Sequence, residues 1–134
     1  MRVRIIQNRA MSNFSVNVSV TALYVADQSD PDNRRFTFAY TISIINGGSE
    51  LVQLIARHWQ IADGDGKVQE VRGLGVVGKQ PLLQSGEKFE YTSWASLSTP
   101  TGTMKGEYFC VTDQAEFFEV QIPEFMLTMP RTLH

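Results

Sequence analysis

The sequence predicts an all-β sandwich on three observations. Apolar residues recur with period two along most of the chain, clusters of turn-forming residues interrupt that alternation at short intervals, and no segment sustains a helical period. Seven to eight short strands spaced in this way define a sandwich or a barrel. The first strand covers 14–22: Phe14, Val16, Val18, Val20 and Ala22 alternate with Ser15, Asn17, Ser19 and Thr21, the pattern of a strand with one buried face. The polar run 27–33 breaks it. Alternation resumes with Phe36, Phe38, Tyr40, Ile42 and Ile44 facing inward and ends at Asn46-Gly47-Gly48.

The segment 51–62 carries apolar residues in both phases, as a central strand does. Asp63-Gly64-Asp65-Gly66 is a hairpin turn leading to a short strand over 68–71. A glycine-rich loop spans 73–81, a strand follows over 88–94, and 98–102 turns the chain again. Strands over 104–111 and 117–122, with a last one near Met126, complete the set. Trp59 within the third strand, and Tyr108 two residues before Cys110 on a late strand, are spaced like the core tryptophan and tyrosine corner of immunoglobulin-like domains. With no second cysteine, the expected variant is the disulfide-free, fibronectin-III-like sandwich.

At 134 residues and 43% hydrophobic content, the chain is long enough for one self-sufficient core and leaves little room for a second domain. The expected organisation is a mobile, dispensable extension over 1–13, which lacks the alternation beginning at Phe14, and one sandwich domain over 14–134. The formal net charge is −2, with basic residues scattered among acidic ones, which argues against a nucleic-acid partner. No apolar run is long enough to cross a bilayer as a helix, and the basic start breaks off before any signal-peptide core. A lone cysteine suits a reducing compartment, so the expected location is the cytoplasm.

Catalytic and metal constellations are missing from the sequence pattern. His58 and His134 are the only histidines, no Gly-x-Ser-x-Gly elbow occurs, and His58 lies within a strand in phase with Leu54 and Ala56, the setting of a structural histidine. The Asp63 turn lacks the glycine position and closing glutamate of a calcium loop. Cys110 is expected to pack as a small core hydrophobe. No catalytic residue, metal site or cofactor is expected.

Two candidate sites remain. Gly73-Leu74-Gly75-Val76-Val77-Gly78 spells G-x-G-x-x-G, but Lys79-Gln80-Pro81 follows where a nucleotide fold needs a helix, so the dinucleotide reading fails. What survives is a loop whose amides could bind pyrophosphate or a dinucleotide polyphosphate, flanked by Arg72 and Lys79. The alternative is a loop that needs its glycines for backbone conformation. The second candidate is Trp94, in the outward phase with Lys88, Glu90 and Thr92. It is either an exposed anchor for a protein partner, a homodimer contact included, or a residue that a bend turns into the core.

The stretch GLGVVGKQPLLQSGEKFEYTS over 73–93, TPTGTMKGEY over 99–108, SDPDN over 29–33, FAYT over 38–41, RHW over 57–59 and IPEF over 122–125 together resemble the bacterial ApaG (CorD) family, from about Phe14 to the C-terminus. The resemblance implies a fibronectin-III-like sandwich, an association with cobalt and magnesium resistance or efflux, and a pyrophosphate-binding loop at Gly73, Gly75 and Gly78. Related domains in larger eukaryotic proteins imply a protein-binding module. Trp94 stands where such relatives commonly carry glycine, Cys110 where methionine is frequent and Met126 where arginine is frequent. The expected function is therefore a non-catalytic module that binds an unidentified protein partner, with pyrophosphate or dinucleotide polyphosphate binding as the alternative.

Overall fold

The computed structural model describes residues 2–6, as backbone, and residues 15–130. Nine strands lie in two antiparallel sheets among the described residues: β1 (Arg2–Ile6), β2 (Ser15–Tyr24), β3 (Phe36–Asn46), β4 (Val52–Asp63), β5 (Val68–Leu74), β6 (Leu82–Leu83), β7 (Lys88–Leu97), β8 (Thr101–Thr112) and β9 (Phe117–Thr128). The first sheet runs β1-β2-β3-β7 and the second β5-β4-β8-β9, with the two-residue β6 also paired to β4. Apart from β1 and β6, this is the three-plus-four arrangement of a fibronectin-III-like sandwich, as expected.

Alternation explains the layers. Val16, Val18 and Val20 of β2, with Phe36, Phe38, Tyr40, Ile42 and Ile44 of β3, are buried, while the residues between them on β2 face outward. From the second sheet Trp59, Met104, Tyr108, Val120, Ile122 and Leu127 fill the opposing face. Trp59 is the hub: its ring meets Tyr40, Phe125 and Tyr108 at centroid distances of 5.6, 6.0 and 6.3 Å, all edge-on. Tyr108 does not form the expected tyrosine corner. Its hydroxyl pairs with the Tyr91 hydroxyl of the other sheet at 2.6 Å, and burial raises both phenols well above the ordinary range. Cys110 is buried among these groups, and desolvation pushes its thiol up to about 12.

Three features differ from the sequence reading. A β-bulge between Leu54 and Ala56 reverses the phase of β4, so Leu54 points into the core opposite Cys110 while His58 lies opposite Glu107 on the outer face. His58 is therefore out of phase with Leu54. β9 continues past Pro123 to Thr128, because Pro123 falls on an edge strand and at a register shift, where Pro123 and Glu124 lie opposite Lys105 and no ladder hydrogen bond is needed from the proline. β5 continues into the glycine-rich segment and takes in Gly73 and Leu74. In the amino-terminal segment, Arg2–Ile6 runs antiparallel to β2, with Arg2 opposite Ser19 and Ile6 opposite Ser15. Residues 7–13 of the expected mobile extension lie outside the described residues.

Candidate functional site

The glycine-rich segment folds as a tight hairpin at the end of β5. Gly73 sits opposite Arg57, and a Cβ there would lie 2.8 Å from the Arg57 Nη1. The guanidinium donates to the carbonyls of Leu74 and Gly75 at 3.1 and 2.9 Å and so pins the start of the hairpin. Gly75 has φ +66 and a close approach to the Lys79 carbonyl that leaves no space for a side chain. The Val76 amide donates to the Lys79 carbonyl at 2.8 Å, and the Lys79 amide returns the bond at 2.9 Å. Between them Val77 and Gly78 both have positive φ, at 44° and 79°, the backbone of a type I′ turn. Gln80 ties the far side down by donating from Nε2 to the Ile55 carbonyl at 3.0 Å.

The hairpin thus uses its glycines for conformation and close approach. The amides of Gly75, Val76 and Lys79 all donate inward, to the carbonyls of Ile55, Lys79 and Val76. Those of Val77 and Gly78, at the tip, find no backbone acceptor among the described residues. Arg72 is exposed on the outer face of the second sheet, and Lys79 is exposed where the turn closes. Arg57 lies in the RHW stretch, but nothing in the sequence marks it or Gln80 for this role, which depends on the register of β4 and β5.

His58 occupies the centre of the same outer face. It is only 7% exposed, roofed by neighbouring side chains. Its Nδ1 lies 2.9 Å from the Glu107 Oε1 and its Nε2 3.1 Å from the Glu70 Oε1. Two carboxylates accept and a neutral imidazole has only one N–H to give, so the arrangement favours the imidazolium. The hydrogen bond that His58 donates to Glu107 is the largest cause of its raised pKa, set against desolvation, with the bond to Glu70 adding to the rise. Gln60 also donates to the Glu70 Oε1, and the hydrogen bonds from Gln60 and His58 lower that carboxyl. This is a structural clamp joining β4, β5 and β8. Among the described residues no group of three or more His, Cys, Asp or Glu side chains is arranged to hold a metal ion.

Trp94 lies on the other sheet, apart from the hairpin. It is 56% exposed and stands on β7, an edge strand whose far side has no neighbour in the sheet among the described residues. Of its two sequence readings, the outward orientation is the one observed. Register places Trp94 opposite Ala39 and Ala39 opposite Leu23, so the three form one transverse row, with Leu23 58% exposed. The adjoining rows are hydroxylic: Thr41 and Thr92 bond at 2.8 Å, and Thr37 and Ser96 at 3.1 Å. A shallow groove lined by Gln28, Arg35, Thr37, Trp94 and Ser96 borders the indole.

The fold is a fibronectin-III-like sandwich with a glycine-rich hairpin on one sheet and an exposed aromatic side chain at the edge of the other. The ApaG domain family matches residues 26–112. Protein ApaG of Ralstonia nicotianae is 56% identical over 124 residues, covering 92% of this chain and all of that protein. Protein ApaG of Bordetella pertussis is 56% identical over 128 residues, covering 96% of this chain and 98% of that one. A crystal structure of an ApaA protein from Bordetella pertussis superposes with a TM-score of 0.86 at 58% identity, covering 89% of this chain and 97% of that chain. The chain belongs to the ApaG family. With 128 of its 134 residues aligned to the Bordetella relative, the likeness begins before Phe14 and takes in part of the segment ahead of Met11.

Proposed function

We propose that this chain is a non-catalytic protein-binding module that engages its partner at the β7 edge, with Trp94 as anchor. The observation that carries this reading is the half-exposed indole on an edge strand, in one row with exposed Leu23. Tryptophan is the side chain most enriched among residues that dominate interface energies, and an edge strand offers unpaired backbone groups to a partner strand. The ring gains little from its own fold, because its neighbours are Ala39 and short hydroxylic residues. The names of the relatives specify no reaction. The association with cobalt and magnesium resistance belongs to the same proposal, acting through the bound partner in the cytoplasm.

Comparative capture from native lysate tests it. The wild-type chain and Trp94→Ala, matched for melting temperature, should differ by loss of a specific protein band from the variant. Identical captures with both would remove Trp94 as the anchor.

A second reading, pyrophosphate or dinucleotide polyphosphate binding at Gly73, Gly75 and Gly78 with Arg72 and Lys79, is supported by the inward-unused amides of Val77 and Gly78 at the tip. Strand β6 rather than a helix follows the hairpin, so no helix dipole assists and affinity should be modest. Titration with pyrophosphate should shift the amide resonances of residues 73–79 first. Unmoved resonances at millimolar ligand would leave the glycines purely structural.

A further inference from the structure

We infer that the outer face of the second sheet is a self-association surface that takes a second copy of this chain about a two-fold axis parallel to the strands. Two transverse rows at one end of that face are apolar except for Gln53 and Glu119. One runs from Leu82 across Gln53 and Val111 to Phe117, and the next from Leu74 across Ala56 and Phe109 to Glu119. Leu74 is 75% exposed and Phe117 68% exposed, and Leu82 stands out nearly as far. An apolar strip of this kind on a sheet face marks a contact surface rather than a neutral one.

Charge selects the occupant. The β5 side of the strip carries Arg72 and Lys79 and no acid over 71–80, whereas the β9 side carries Glu116 and Glu119, and no base occurs over 112–124. None of these four side chains is within ion-pair distance of an opposite charge among the described residues, although Arg72 lies near enough to Glu70, which is held by His58 and Gln60, to help lower that carboxyl. A two-fold axis parallel to the strands lays the β5 side of one copy over the β9 side of the other. Leu82 then faces Phe117 twice, and each basic side meets the partner's acidic side. An axis across the strands would set like charges together, so the electrostatics choose the first arrangement. From strand spacing and rise, the two rows cover on the order of 250 Å² per copy, to which the flanking charged side chains add, so the dimer lies at the weak, concentration-dependent end of interfaces.

Sedimentation velocity over a concentration series tests this, using wild type, Arg72→Glu, Glu119→Lys and Trp94→Ala, with far-UV circular dichroism to show that each is folded. Wild type should associate reversibly. Each charge variant should weaken self-association by about tenfold or more, while Trp94→Ala leaves it unchanged. The decisive arm is an equimolar mixture of Arg72→Glu with Glu119→Lys. Every cross-copy pair is then opposite in sign, and association should return to the wild-type level. A wild type that stays monomeric to roughly 500 µM, in the range where so small an interface would still assemble, would overturn the inference. So would a dimer lost in Trp94→Ala, or folded charge variants that do not rescue each other on mixing.

Discussion

The two outer faces of the sandwich are built on opposite plans. On the second sheet the outer face is tied down by His58, which bonds two carboxylates from different strands, while Arg57, in the opposite phase, and Gln80 pin the glycine hairpin at the sheet edge. On the first sheet the outer face is rows of threonine and serine joined by short hydroxyl contacts, crossed by the Leu23–Ala39–Trp94 row. Substitutions in the clamp and the hairpin should therefore register mainly in unfolding free energy, and Trp94 on the first face mainly in partner binding.

The largest effect should come from the hairpin. Gly75→Ala puts a Cβ against the Lys79 carbonyl at positive φ, and should destabilise the fold by about 2–4 kcal/mol in chemical denaturation. A loss below half a kilocalorie would mean that the hairpin relaxes freely and is not fixed by Arg57. Removing the clamp comes next. His58→Ala leaves Glu70 and Glu107 without their shared cation, and because both carboxylates are partly exposed the loss at pH 6 should be only about 1–2 kcal/mol.

The clamp also has a pH signature. The folded pKa of His58 is raised, so its stabilisation is complete below the unfolded value and is lost as pH rises through the folded value. Wild-type stability should therefore fall over that window by more than that of His58→Gln. Equal slopes would show that the two carboxylates do not hold the imidazolium.

Val77 supplies a change of opposite sign. It is a β-branched residue at φ 44 in a turn that favours Asn-Gly, so Val77→Asn should stabilise by about 1 kcal/mol. The smallest stability effect belongs to the first face. Trp94→Ala should change unfolding free energy by less than about 1 kcal/mol while weakening partner association by about 2 kcal/mol. A stability loss of about 3 kcal/mol would mean that the indole is packed as a core residue.

Much of this plan was legible in the sequence where one face is buried and the other is wet. The alternation of β2 and β3 predicted their core residues, and the phase of Trp94 with Glu90 and Thr92 pointed outward while leaving open a bend into the core, which only the fold decides. β4 was different. A one-residue bulge leaves no mark in an apolar run whose both phases are half-buried, so His58 was assigned the phase of Leu54, and its pairing with Glu107 required the register. The glycine pattern was visible at once, but its reasons were not, because Arg57 crosses Gly73 from a strand distant in sequence. The Tyr108–Cys110 spacing suggested a corner for the same reason. Spacing along one strand does not show that Tyr91 waits across the core.

Recognition along the β7 edge, with Trp94 as its anchor, is tested most directly by hydrogen–deuterium exchange with the captured partner. Binding should slow exchange along residues 88–97, at the edge that lacks a neighbouring strand, and leave the hairpin at 73–80 unchanged. Protection confined to the hairpin or to the β8–β9 face, with β7 exchanging as in the free protein, would contradict it.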